Sequence, residues 1–311
     1  MSTTQQATAM GGPPTAATRY EPVPFWAKIP HGITFRGDAT SVAVDGQDRV
    51  YVFNRGNRPV CVFDPDGNLI SAWGEGEFDR PHGITIDSQG NLFLVDDGGH
   101  FVQKRTPEGE IVFTLGTRGQ PAPWQGGGMF NRPTGVAVQE STGNFFVSDG
   151  YGNSRVHKFD KDGNHLLSWG EPGEEPGQFS LPHNICMVGE DRVAVCDREN
   201  FRVQVFTDQG EFVAQWHIHH PMSITAGRGG DTALYVGEMG PPPVQNGVAN
   251  LGNKVRVLDR EGNTLSKFGA PLPGENPDQL IAPHGIAVDS RGDVYVAEVS
   301  WTFWFSRQPN P

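Results

Sequence analysis

Thr134-Gly135-Val136-Ala137-Val138 is followed by Asn144-Phe145-Phe146-Val147 and then by Arg155-Val156-His157-Lys158-Phe159. The turn Lys161-Asp162-Gly163-Asn164 comes next, and a last run ends in Trp169-Gly170. Each run has the length and the β-branched or aromatic content of a short strand. Asp, Gly and Asn accept the positive φ of a tight antiparallel turn. The stretch predicts four antiparallel strands within about 40 to 50 residues, the size of one propeller blade.

Working outward, the same order recurs. Copies open at Thr40, His82, Thr134, His183, Met222 and His284, each followed by a second strand such as Arg49-Val50-Tyr51-Val52-Phe53 or Asp293-Val294-Tyr295-Val296. Further turns read Asp64-Pro65-Asp66-Gly67-Asn68 and Asp259-Arg260-Glu261-Gly262-Asn263. The expected fold is all-β, a six-bladed β-propeller in a single domain over residues 21–306. The sixth copy ends near Trp304-Phe305 with three strands. Pro24-Phe25-Trp26-Ala27-Lys28-Ile29 is expected to supply the fourth, closing the ring with an N-terminal strand and removing exposed edges. Residues 1–20 read as a flexible leader without the apolar core of a signal peptide.

Composition agrees. The 311 residues include 41 Gly and 25 Pro, spread along the chain as many short strands and turns require. No apolar run is long enough for a membrane helix. The net charge of −12 argues against nucleic acid and an anionic membrane surface. The expected partner is a small-molecule substrate. Three cysteines, Cys61, Cys186 and Cys196, make no disulfide framework and point to a reducing cytoplasm.

Three copies open on Pro-His: Pro81-His82, Pro182-His183 and Pro283-His284, spaced 101 residues apart pair by pair. In a ring of six these are alternate blades. First strands would line the channel, so three imidazoles would converge on its axis. Three His with an open fourth position is a catalytic zinc arrangement. The alternative is that Pro-His-Gly is only a consensus that caps each strand. The residues ending the second strands read Arg55, Asp97, Asp149, Asp197, Glu238 and Glu298. The acids are expected to hold loop amides. Arg55 breaks the series and could hold a carboxylate in bidentate fashion, or pair with an acid of a neighbouring blade. Two positions further on, Tyr151 is the aromatic residue among Asn57, Gly99, Glu199 and Ser300, and its phenol could act as acid or base. His217, His219 and His220 are expected near the rim of the same mouth.

Asn153-Ser154-Arg155-Val156 and Asn200-Phe201-Arg202-Val203, with the Asp-x-x-Gly-Asn turns, resemble NHL repeats. Val147-Ser148-Asp149-Gly150-Tyr151-Gly152-Asn153-Ser154-Arg155, Gly177-Gln178-Phe179-Ser180-Leu181-Pro182-His183 and Cys196-Asp197-Arg198-Glu199-Asn200, with Asn54-Arg55-Gly56, resemble the peptidyl-α-hydroxyglycine α-amidating lyases. That resemblance implies a six-bladed propeller with Zn2+, or another divalent metal, on His82, His183 and His284. It also implies a catalytic Tyr151 and an active-site Arg55. Three family positions differ. Gly285 replaces an acid that helps hold a structural calcium, so Ca2+ is not expected. Ala282 replaces a Met in the pocket wall. Gly152 replaces a disulfide cysteine. The loop at 240–252, with Pro241-Pro242-Pro243, is expected to reshape the pocket.

The expected activity is a zinc-dependent lyase that cleaves a hydroxylated carbon–nitrogen centre to an amide or amine and an aldehyde such as glyoxylate. The alternatives are a zinc hydrolase or hydratase, and a non-catalytic NHL binding scaffold.

Overall fold

A computed structural model describes residues 5–7, 18–241, 248 and 251–303. Most of the expected leader, residues 1–4 and 8–17, lies outside the described residues, as do 242–247 and 249–250 of the 240–252 loop. Five four-stranded sheets are each folded from one uninterrupted stretch. Their first strands are Ala39–Val44, Pro81–Ile86, Gly135–Val138, Pro182–Val188 and Pro221–Ala226.

The expected sixth repeat departs from that pattern. Pro283–Val288 and Val294–Glu298 form its first two strands, but the chain then enters the short helix Ser300–Phe303 in place of a third. Gln5–Ala7 pairs antiparallel with Val294, Tyr295 and Val296, and Pro22–Val23 lies outside it. The pairing therefore falls on residues 5–7 and 22–23, not on Pro24–Ile29. That stretch is spent on packing instead. Phe25 turns the chain with φ +58°. Trp26 is buried against Phe63 and Tyr295 and donates its Nε1–H to the Pro65 carbonyl at 3.1 Å.

The chain divides into two compact units, residues 76–224 and residues 1–75 with 225–311. Within 76–224, Phe145 and Phe146 show how strand geometry builds the core. Successive strand side chains point to opposite faces. Phe145 joins Phe93, Val95, Phe130 and Phe159, whereas Phe146 joins Ile185, Val195 and Phe206. Each such ring contributes about 1.5–3 kcal/mol by leaving water. In the other unit, Val52, Cys61 and Phe63 pack with Tyr295 and Ala297, and Tyr235 packs with Val255, Ile286 and Val296. First and second strands are almost wholly buried, while fourth strands such as Leu69–Trp73 and Ile111–Gly116 are largely exposed.

The turns form as their residues require. Asp160 Oδ1 accepts from the amides of Asp162 and Asn164, and Asn164 Nδ2 donates back to Asp160 Oδ2 at 2.8 Å. These bonds hold the Asp160 carboxyl below the usual carboxylate range. Gly163 sits at φ +87°, a conformation glycine adopts without steric cost. All three cysteines are buried and unpaired, and burial pushes Cys61 and Cys186 up to about 12. Among the described residues no helix is long and apolar enough to cross a membrane.

Candidate metal centre

Within residues 76–224, His82, Tyr151 and His183 come together. His82 and His183 are the second residues of Pro81–Ile86 and Pro182–Val188, and both are buried. Their available ring nitrogens lie within 4.8 Å of one another. Tyr151 Oη lies 3.1 Å from His82 Nε2 and 3.0 Å from His183 Nε2. Tyr151 leaves the strand Phe145–Asp149 on a loop that its flanking glycines allow close in. A side chain at Gly150 would fall 1.9 Å from the Pro182 carbonyl, and one at Gly152 would fall 2.2 Å from Asn131 Oδ1. Asp149 fixes the loop from below, accepting from the Asn131 amide and from Asn153 Nδ2.

The other ring nitrogen of each histidine is already committed. His82 Nδ1 lies 2.7 Å from the Thr134 carbonyl, and His183 Nδ1 lies 2.6 Å from the Met222 carbonyl. A carbonyl only accepts, so each Nδ1 must carry the proton and each neutral ring presents a lone pair at Nε2. Tyr151 then faces two acceptors with one hydroxyl proton. A cation between the two Nε2 atoms resolves that conflict, so the donor set fits a metal. Backbone carbonyls behind the ligand histidines are the usual outer shell of such a site.

In the unit formed by residues 1–75 and 225–311, His284 is buried with Nδ1 2.6 Å from the Thr40 carbonyl. Arg55 Nη1 donates to Asp38 Oδ2 at 2.8 Å and to Thr302 Oγ1 at 3.2 Å, while its buried Nε has no hydrogen-bond partner among the described residues. The acid that pairs with Arg55 is Asp38, just before the first strand of the same repeat, and not an acid of a neighbouring blade. The stretch Asp38-Ala39-Thr40 thus holds both Arg55 and His284. Gly285 has no room for an acidic side chain. A Cβ there would meet Ser41 Cα at 2.5 Å.

Most residues at the ends of the second strands hold loop amides as expected, with a shift of register in two repeats, whereas Glu238 takes the Arg256 guanidinium instead. Val50–Asn54 ends on Asn54 and Leu92–Asp96 on Asp96, each one residue before the expected position. Asp96 accepts from the amides of Asp79, Arg80 and Gly99, and Asn54 accepts from Gly56. Asp197 accepts from Ser180, and Glu298 from Ile281 and Ala282. Burial raises Asp96 and Asp197, and raises Glu298 to about 7, against the pull of those amides. Arg55 and Asp97 therefore lie one residue beyond the column, as does Arg198.

Residue-by-residue reading missed three arginines on the face of Tyr151. The guanidinium carbons of Arg132, Arg198 and Arg80 lie 4.5, 5.8 and 5.9 Å from its ring centroid. Arg80 and Arg132 stand just before Pro81 and Pro133, equivalent positions in successive repeats that the sequence itself displays. Of the three rim histidines, His220 stacks on Phe201 at 4.4 Å and lies 3.7 Å from Glu199. His219 packs on the same ring, and His217 pairs in register with Arg202.

The NHL repeat profile matches residues 130–159 and 179–206. NHL repeat-containing protein 3 of Homo sapiens is 35% identical over 88% of this chain and 80% of its own length. Peptidyl-alpha-hydroxyglycine alpha-amidating lyase 1 of Drosophila melanogaster is 30% identical over 85% of this chain and 56% of its own length. Peptidyl-glycine alpha-amidating monooxygenase B of Xenopus laevis is 32% identical over 86% of this chain, which spans 34% of that protein. The chain thus covers about a third of the amidating monooxygenase it resembles. A solved streptogramin B lyase structure superposes with a TM-score of 0.60 at 17% identity, covering 88% of this chain and 93% of that one. That likeness is one of fold, an all-β propeller. On its repeats, its sheets and the 80% of NHL repeat-containing protein 3 that it covers, the chain belongs to the NHL-repeat family.

Proposed function

We propose that the chain is a metal-dependent lyase that cleaves an α-hydroxyglycine amide, or a related carbinolamide, to an amide or amine and an aldehyde such as glyoxylate. The observation that carries it is the single hydroxyl of Tyr151 set between two Nε2 lone pairs. Relatives named as amidating lyases support the reaction class. The reading counts six repeats in the ring, closed at the N-terminal strand, so that His82, His183 and His284 alternate and present three Nε2 atoms to one ion.

A divalent metal held there, zinc by the preference of a three-histidine set, would supply a Lewis acid that makes the substrate hydroxyl easier to ionise. Tyr151, acting in its phenolate form, takes the hydroxyl proton. Arg55 orients the substrate carboxylate, with Asp38 fixing the angle of its guanidinium. The carbon–oxygen double bond forms as the carbon–nitrogen bond breaks. The electron pair leaves on nitrogen, which recovers a proton from Tyr151.

Incubation with N-benzoyl-α-hydroxyglycine tests the proposal, with glyoxylate and benzamide as the expected products. The acyl product separates the lyase from a hydrolase, because cleavage at the hydroxylated carbon releases benzamide whereas hydrolysis of the amide bond releases benzoate. Substoichiometric divalent metal in the purified protein, or unchanged metal content in His183→Ala, would sink it in favour of a binding scaffold.

A further inference from the structure

Arg80 and Arg132 occupy the same place in adjacent repeats, in Arg80-Pro81-His82 and Arg132-Pro133-Thr134. The repeat itself does not demand arginine there, since the next two copies carry Leu181 and His220. Both guanidiniums end on one atom. Arg80 Nη1 lies 2.5 Å and Arg132 Nη2 2.8 Å from Asp97 Oδ2. Asp97 is fully buried, whereas the side chains of Arg80 and Arg132 are 34% and 37% exposed. The carboxylate therefore anchors two cations whose side chains stay about a third exposed. Both guanidiniums lie against the Tyr151 ring. Such a concentration of positive charge stands out in a chain with 36 acidic residues against 24 Lys and Arg.

A planar guanidinium presents paired donors that match a carboxylate. Two of them, pre-positioned by one buried acid, form a fork that loses little freedom when an anion arrives. We infer that Arg80 and Arg132 form a carboxylate subsite beside Tyr151, and that the preferred substrate carries a carboxylate in the acyl half that is released as the amide. This rests on the lyase reading, in which Arg55 takes the carboxylate next to the reacting carbon. The substrate class is then a dicarboxylate carbinolamide, not one with a neutral acyl group.

The test uses the two amide products as ligands for the intact metal-loaded protein, so that binding is read without turnover. Calorimetry or ligand-observed NMR compares 4-carbamoylbenzoate with benzamide. The carboxylated amide is expected to bind roughly 10- to 100-fold more tightly, the range for charge-assisted hydrogen bonds. Arg132→Gln and Arg80→Gln should each erase most of that ratio. Arg132→Lys, which keeps the charge, should retain part of it. Equal affinities, undetectable binding of 4-carbamoylbenzoate, or a ratio unmoved in both Gln variants overturns the subsite, and the arginines then serve only to hold the Tyr151 ring. Thermal melting of each variant shows that it is folded. If the ratio holds while neither N-benzoyl-α-hydroxyglycine nor its 4-carboxy form is cleaved, the lyase reading fails and the anion subsite stands.

Discussion

His284 Nδ1 lies 2.6 Å from the carbonyl oxygen of Thr40, which precedes it in sequence by 244 residues. His82 and His183 make the same bond to Thr134 and Met222. Thr40, Thr134 and Met222 thus supply the backbone acceptors for His284, His82 and His183. A ring held in this way has one tautomer and one orientation before any ligand arrives.

The first expectation concerns the metal. One divalent ion per chain should co-purify, and chelation should lower the melting temperature. A ligand present at 100 times its dissociation constant stabilises a fold by about 2.7 kcal/mol. His284→Ala should lose more metal affinity than the roughly 10- to 100-fold that loss of an outer-shell partner costs. Elemental analysis and melting curves with and without chelator check both. A His284→Ala protein with full occupancy would remove His284 from the site.

Tyr151→Phe should keep the metal and lose turnover. The variant deletes only the hydroxyl that lies 3.0 and 3.1 Å from the two Nε2 atoms. A positioned acid–base group contributes about 100- to 10,000-fold to rate. A variant with wild-type kcat would show that Tyr151 is packing and not chemistry.

Asp149→Ala should cost stability as well as rate. The carboxylate holds the Asn131 amide at 3.0 Å and Asn153 Nδ2 at 2.8 Å in a fully buried place. Leaving buried donors unpaired costs about 1–3 kcal/mol each. Urea unfolding measures the first effect and kcat the second. Unchanged stability would mean that water replaces the carboxylate freely.

Glu298 gives a pH dependence with a definite sign. Its carboxyl is fully buried and raised from 4.5 to about 7, chiefly by desolvation and against the amides of Ile281 and Ala282. The folded state therefore holds the proton more tightly than the unfolded chain. The associated stability is complete below about 4.5 and is lost as pH rises through about 7. The shift corresponds to about 3 kcal/mol. Glu298→Gln keeps a neutral side chain at every pH, so its stability relative to wild type should climb between pH 5 and pH 8. Denaturation series of the two proteins at matched pH decide it. A constant difference would place the titration of Glu298 elsewhere.

What the sequence made legible follows from where each interaction stores its information. Strands such as Phe145–Asp149 and turns such as Asp160–Asn164 are dictated by local residue types, and both form where expected. The alternation of His82, His183 and His284 with Thr134, Met222 and Thr40 is a pattern in side chains, so it could be read. The carbonyls those histidines use belong to the backbone and leave no trace in residue identity. The register slip at Arg55 and Asp97 has a similar origin. Asn54 does an acid's work in the first repeat, and the second offers two adjacent acids, Asp96 and Asp97. The arginine cluster on Tyr151 depends on loop paths, where Asp97 gathers Arg80 and Arg132 from different repeats. The last sheet was misplaced because packing of Trp26 outweighed strand pairing of its neighbours.

Because each histidine borrows a main-chain oxygen from a residue such as Thr134 or Met222, its tautomer does not depend on the side chain at the lender position. The smallest module that can be copied, swapped or deleted is then a pair of repeats, one bearing the imidazole and the next its acceptor. An engineered variant that loses one lender repeat would strip the acceptor from one histidine, whereas one built by exchanging whole pairs would keep the tautomers intact.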